Sequence, residues 1–175
     1  MASLAGDLLR PSLSSPVMAD ASSPASPISE SEIRDAIRRY FLVLQSDPTA
    51  DRMRAEAVTD DFRTGMPHGG YQWDGPHGLE DFLRDRQGFV DEQHDIDEVL
   101  SREDVGEVVW LKTRLTFHLW DPNTDEVFTG QAFHTWDLRP DRGRLRVAAQ
   151  LVNGFAHLNP AAERLFGKPD EGLNR

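Results

Sequence analysis

The stretch that decides the fold reads EVVWLKTRLTFHLW (Glu107–Trp120), DPNTD (Asp121–Asp125), EVFTGQAFHTWDL (Glu126–Leu138), RPDRG (Arg139–Gly143) and RLRVAAQLVNGF (Arg144–Phe155). In the three long pieces apolar and polar residues alternate with period two, which is how side chains fall on the two faces of a strand. The two short pieces are rich in Asp, Asn, Pro and Gly, the residues that supply turn geometry. Strands joined by connections this short pair antiparallel. Upstream, HDIDEVLS (His94–Ser101) alternates in the same way and joins the series through Arg102–Gly106, so four consecutive strands are expected.

Toward the N-terminus the period changes to that of a helix. Ser29 or Ser31 can cap one, and Glu32, three residues after Ser29, completes a capping box. Ile33, Ile37, Tyr40, Phe41 and Leu44 recur on one helical face, which carries the first helix to about Gln45. Asp47-Pro48 ends it. Thr49–Ala57 reads as a second, short helix that delivers Val58 and Phe62 to the core, and Thr64–Asp74 reads as a loop. Gly75-Pro76 opens a third helix marked by Leu79, Phe82, Leu83 and Arg86. Helices followed by a meander predict an α+β fold, with one domain over 29–160. The Ser-, Pro- and Ala-rich residues 1–28 read as a disordered leader, and 161–175 as a C-terminal tail that begins with a helical turn over Asn159–Phe166.

Composition excludes several function classes. Nineteen Lys and Arg against thirty Asp and Glu leave a formal charge of -11, which repels a phosphate backbone, so no nucleic-acid partner is expected. No cysteine is present, which removes disulfides, thiolate metal sites and thiol nucleophiles together and suits a reducing compartment. With no apolar run of membrane-spanning length, the expected location is the cytoplasm and no membrane partner is expected. The six histidines never pair at i, i+4 with a carboxylate, and neither a Gly-rich phosphate cradle nor a Ser nucleophile elbow occurs, so no metal and no cofactor are expected.

The segment Val58-Thr59-Asp60-Asp61-Phe62, a Pro-containing loop and then Gly78-Leu79-Glu80-Asp81-Phe82 resemble the approach to the third helix in nuclear-transport-factor-2-like proteins. The last hairpin, Trp136–Val147, resembles theirs as well, and the resemblance spans about residues 28–160. It implies a cone-shaped, curved antiparallel sheet wrapped around a long N-terminal helix, with two further helices and a pocket between helices and sheet. It also implies pairing of two copies through the outer sheet face, and the strands here carry apolar residues on both faces, as Trp110, Trp120 and Phe133 illustrate. Relatives of this fold include steroid isomerases, SnoaL-like polyketide cyclases and scytalone dehydratase, alongside members that only bind or scaffold, so the fold does not choose a reaction.

The steroid isomerases place a general-base Asp just before a Pro in the loop after the second helix. Aligned on Asp60-Asp61, that position is Met66, followed by Pro67, so the base is absent and Met66 becomes a candidate pocket wall. Scytalone dehydratase carries a histidine pair at one strand's start and another strand's end, and His94 and His118 stand at similar places here. Its helix-one Tyr/Asp pair, by contrast, falls near Leu44 and Gln45, and its strand-four Asn near Ala132 or Phe133. An imidazole can take a proton next to a carbonyl and return one to a leaving hydroxyl, the chemistry that dehydration needs.

The acid/base candidates are therefore His94 with either His118 or His134, and Tyr40 as an oxyanion donor. His118 shares its face with Lys112 and Arg114, which points it to solvent unless a bulge intervenes. Candidate ligand contacts are Met66, Phe117, Trp136 and Asn153, together with His68, Tyr71 and Trp73 of the loop, which suits a lid. The acidic run Asp91–Glu98 reads as a solvated face around His94. Two functions follow as expectations: a cofactor-free lyase, cyclase or isomerase acting on a small apolar carbonyl or polyketide-like compound, or a non-catalytic module that binds small molecules or dimerises. The criterion between their sites is whether His94 and His134 face one enclosed cavity.

Overall fold

The computed structural model describes residues 27–66, 70–86 and 88–167. Residues 1–26 of the expected leader (1–28), residues 168–175 of the expected tail (161–175) and the candidate contact His68 lie outside the described residues.

The first helix, α1 (Glu30–Gln45), starts where the capping box places it. The Ser29 side chain accepts from the Glu32 backbone N–H, and the Ser29 N–H donates to the Glu32 carboxylate at 2.7 Å. Its stripe of Ile33, Ile37, Tyr40, Phe41 and Leu44 is buried, and Leu42 on the opposite side is exposed. Asp47 turns the chain with a φ of 58°, and Thr49 caps α2 (Ala50–Glu56). The chain continues through β1 (Val58–Gly65) and α3 (Gly78–Asp85) into four long strands: β2 (Val90–Val105), β3 (Val108–Asp121), β4 (Glu126–Asp141) and β5 (Arg144–Ala156). Arg142 and Gly143 at the last hairpin have φ of 51° and 78°, the paired positive values of a type I′ turn. A last helix, α4 (Pro160–Phe166), is capped by Asn159, whose side chain accepts from the Ala162 N–H at 2.8 Å.

The sheet order is β1-β5-β4-β3-β2, with one parallel pair, β1 with β5. Two expectations are corrected here. Val58–Gly65 is a strand rather than a helix-to-loop passage, and the sheet is therefore mixed rather than wholly antiparallel. The strand's period is hidden by Asp60 and Asp61, which stand at a register break and answer to the neighbouring hairpin: Asp60 receives Arg142 at 2.7 Å and Asp61 receives Arg139 at 3.1 Å. At the other edge β2 carries its acidic run, a common device against edge-to-edge pairing.

The sheet curls around α1, and the core fills the concave side. On β3 the buried positions Val109, Leu111, Thr113, Leu115, Phe117 and Leu119 face α1, while Trp110, Lys112, Thr116 and His118 are exposed. On β4 the inward set is Phe128, Gly130, Ala132, His134, Trp136 and Leu138. Two bulges in β5, opposite Asp137/Leu138 and Phe133/His134, shift its parity, so Gln150, Val152 and Phe155 reach the concave side. Among the described residues no helix is long and apolar enough to cross a membrane.

Candidate functional site

Between α1, α3, α4 and the concave sheet face the packing opens into a cavity of about 320 Å³. Its wall is chiefly aromatic and aliphatic: Phe41, Phe82, Phe89, Leu115, Phe117 and Phe155. Trp73 stands against Phe82 at the mouth, tied by its Nε1–H to the Asp85 carboxylate at 3.0 Å and by a bridge from its backbone to Thr64. The other end is covered by α4, whose Phe166 stacks on Phe155 with centroids 4.7 Å apart. A pocket of this kind, apolar with a few convergent polar groups, is how small-molecule sites are usually built.

Those polar groups are Tyr40, His94, His134, Gln150, Thr64 and the pair Arg86–Glu92. His134 is 5% exposed and belongs to a relay: the Thr64 hydroxyl donates to Gln150 Oε1 at 2.5 Å, and Gln150 Nε2 lies 3.1 Å from His134 Nδ1. An amide N–H can only donate, so Nδ1 accepts and the ring carries its proton on Nε2. Burial, with a smaller contribution from His94, pulls this imidazole from its usual 6.5 to about 3. His94 stacks on Phe41 with centroids 4.0 Å apart and is likewise brought to about 3, first by burial and then by the Arg86 charge. The Gln45 amide nitrogen approaches its Nδ1 at 3.5 Å, a weak hold. Both rings are uncharged at neutral pH.

Tyr40 is 1% exposed, packs edge-on to Phe41 and Trp136, and has its pKa raised by burial, so it remains a hydroxyl donor. Glu92 is held by the Arg86 guanidinium, with the Glu92 side chain 2% exposed and that of Arg86 17%. Burial raises the Glu92 carboxyl above its ordinary 4.5, and Arg86 opposes the rise.

The structure thus brings together His94, His134, Tyr40, Met66, Trp73 and Phe117 around one cavity. Four candidates fall elsewhere. His118 is exposed on the outer face, because β3 runs without a bulge that would reverse its parity. Asn153 is exposed and donates to Thr135 Oγ1 at 2.7 Å, because it is the extra residue at the second β5 bulge. Tyr71 lies under the Arg63 guanidinium, 4.2 Å from its ring centroid, in a separate groove shared with Lys112 and Thr135. Trp136 faces inward but is sealed in the core behind Tyr40 and His134, its Nε1–H donating to Thr113 Oγ1 at 2.9 Å.

Thr64, Gln150, Arg86 and Glu92 escaped the sequence reading. Thr64 sat in what looked like a loop, and the first β5 bulge hid the direction of Gln150. Glu92 was lost within an acidic run whose other members face water or the rim. Among the described residues no group of three or more His, Cys, Asp or Glu side chains is placed to hold a metal ion.

No protein-family model matches the chain, and no curated protein matches it in sequence. Solved structures do match it in shape. A proposed aromatic ring hydroxylase from Novosphingobium aromaticivorans superposes with a TM-score of 0.60 at 12% identity, covering 73% of this chain and 90% of that one. A hexachlorocyclohexane dehydrochlorinase, LinA type 2, gives 0.53 at 13% identity, covering 84% and 97%. A protein of unknown function with a cystatin-like fold from Nostoc punctiforme gives 0.53 at 14% identity, covering 74% and 90%. The chain therefore has a cystatin-like α+β fold, the architecture expected from its third-helix approach and final hairpin.

Proposed function

We propose that this chain is a cofactor-independent enzyme of the lyase, cyclase or isomerase kind, acting on a small apolar carbonyl compound of polyketide-like or steroid-like character. The observation that supports it most is that two uncharged imidazoles and one tyrosine hydroxyl are offered to a single apolar cavity. Removed from water, such donors act on a developing oxyanion in a medium of low dielectric, where each is worth far more than at a surface. A dry wall also favours a neutral, largely hydrocarbon substrate over a charged one. The similarity in shape to a dehydrochlorinase and a proposed ring hydroxylase fits an enzyme but names no substrate for this chain.

The test is α-proton exchange of an enolisable bicyclic ketone, 2-tetralone, in D₂O, followed by NMR. The protein should accelerate exchange over buffer, and a His134→Ala variant should lose about 100-fold, the loss typical of one oxyanion donor. Binding without any exchange would favour the second reading, a non-catalytic receptor. Met66, standing where isomerases of this fold carry their base, speaks for that alternative. For either reading we propose a homodimer through the outer sheet face, where Trp110 is 50% exposed and Val105 and Val127 lie open to solvent.

A further inference from the structure

The polar groups that line the cavity include two held as donors. The Tyr40 hydroxyl keeps its proton, and His134 presents Nε2–H because Gln150 occupies its lone pair. A reaction that begins by removing a proton from carbon needs an acceptor among them.

Glu92 has the geometry of one. Arg86 Nη2 donates to its Oε1, and among the described residues no side chain or backbone N–H donates to Oε2. Glu92 is 5% exposed, in a wall that is chiefly aromatic and aliphatic. Folding does not account for such an arrangement. A buried ion pair commonly stabilises no better than apolar side chains of the same volume. The backbone also departs from regularity to place it: Asp91 has a φ of 48° and the β2 register breaks between Val90 and Gln93, just where Glu92 enters the interior. Two residues on along the same face of β2 stands His94.

We propose that Glu92 is the catalytic base of this cavity and that Arg86 is its positioning residue, a proposal that rests on the lyase or isomerase reading above. Glu92 Oε2 takes the proton from the carbon next to the substrate carbonyl. The C–H electron pair becomes the new C=C bond, and the carbonyl π pair moves onto oxygen, where the Tyr40 hydroxyl and His134 Nε2–H receive it. Collapse of this enolate returns the proton held by Glu92 either to a more distant carbon, an isomerisation, or to a β-hydroxyl that leaves as water, an elimination. The proton count closes in both cases, and nothing is oxidised or reduced. Arg86 fixes Oε1, which leaves Oε2 toward the substrate.

Tyr40 from α1 and Arg86 after α3 act on Glu92 directly, and His94 from β2, His134 from β4 and Asp85 line the same cavity. The experiment is 2-tetralone exchange in D₂O with the full chain, alongside ketone affinity read from tryptophan fluorescence. Glu92→Gln keeps the shape and the Arg86 contact but cannot accept a proton. It should lose at least 100-fold in exchange with the dissociation constant held within about threefold. In the unaltered protein, exchange should rise with pH to a plateau, with an apparent pKa above 4.5 that is missing from the variant's residual rate. Glu92→Gln retaining exchange within threefold, or His94→Ala abolishing it when Glu92→Gln does not, would overturn the assignment and leave the enzyme reading intact. Should Glu92→Gln fail to fold, a wild-type rate flat from pH 4 to 8 would overturn it equally. Wild-type protein that shows no exchange, whether or not it binds the ketone, overturns the enzyme reading and this proposal together.

Discussion

Gln150→Leu puts the buried relay under direct strain. Gln150 is 5% exposed and makes two side-chain contacts, accepting from Thr64 Oγ1 at 2.5 Å and reaching His134 Nδ1 at 3.1 Å. Leucine fills nearly the same space, so packing is kept, but a hydroxyl and a ring nitrogen are left without partners in residues 1% and 5% exposed. Each such group costs about 1–3 kcal/mol, which gives a net loss of about 2–4 kcal/mol after the apolar gain of leucine. For a chain of this size each kcal/mol lowers Tm by roughly 3 °C, so a fall of about 6–12 °C is expected by calorimetry. The companion Thr64→Val removes the stranded hydroxyl, and the double variant should recover about 1 kcal/mol relative to the sum of the singles. A Gln150→Leu protein within about 0.5 kcal/mol of wild type, or strict additivity in the double variant, would refute the relay as an energetic unit.

Other perturbations probe separate parts of the structure. A histidine whose folded pKa is depressed from 6.5 to about 3 is stabilising while neutral, and that stability is lost as pH falls through the window between the two values. Urea unfolding should therefore show His134 contributing about 2 kcal/mol of instability between pH 7 and 5, a slope that His134→Leu reduces. At Gly130 an added Cβ would meet Leu158 Cδ2 at 2.5 Å, the Phe117 ring at 3.1 Å and the Ala156 carbonyl at 3.2 Å. The leucine end can give way and the backbone cannot, so Gly130→Ala should cost about 1–3 kcal/mol in chemical denaturation. Trp110→Asp on the outer face should convert a dimer to a monomer in sedimentation without lowering Tm of the monomeric fold, and a wild-type monomer at micromolar concentration would dismiss that interface.

Legibility in the sequence followed local rules. The Ser29/Glu32 box and the Ile33–Leu44 stripe located α1 because capping and helical period act over a few residues, and the four strands were readable from alternation and turn chemistry. β1 was not, since its two aspartates satisfy a distant hairpin and mask its period. Site residues divided along the same line. Tyr40 and Phe117 lie on regular elements, where period alone indicates the side that faces the core. Asn153 is the extra residue of one β5 bulge and Gln150 lies between the two, and a one-residue shift in register turns a side chain to the opposite face. Glu92 was hidden for a further reason: a buried carboxylate and an exposed one are the same letter until a partner such as Arg86, contributed by another element, is placed beside it.

The proposed chemistry depends on neutral imidazoles on the concave side, with the His134 proton fixed on Nε2. Long-range ¹⁵N–¹H NMR of the histidine rings between pH 8 and 4.5 tests it most directly. The account predicts that His94 and His134 stay neutral throughout and that His134 shows the shifts of the Nε2–H tautomer. Either ring gaining its second proton near 6.5, or His134 protonated on Nδ1 at neutral pH, would contradict it.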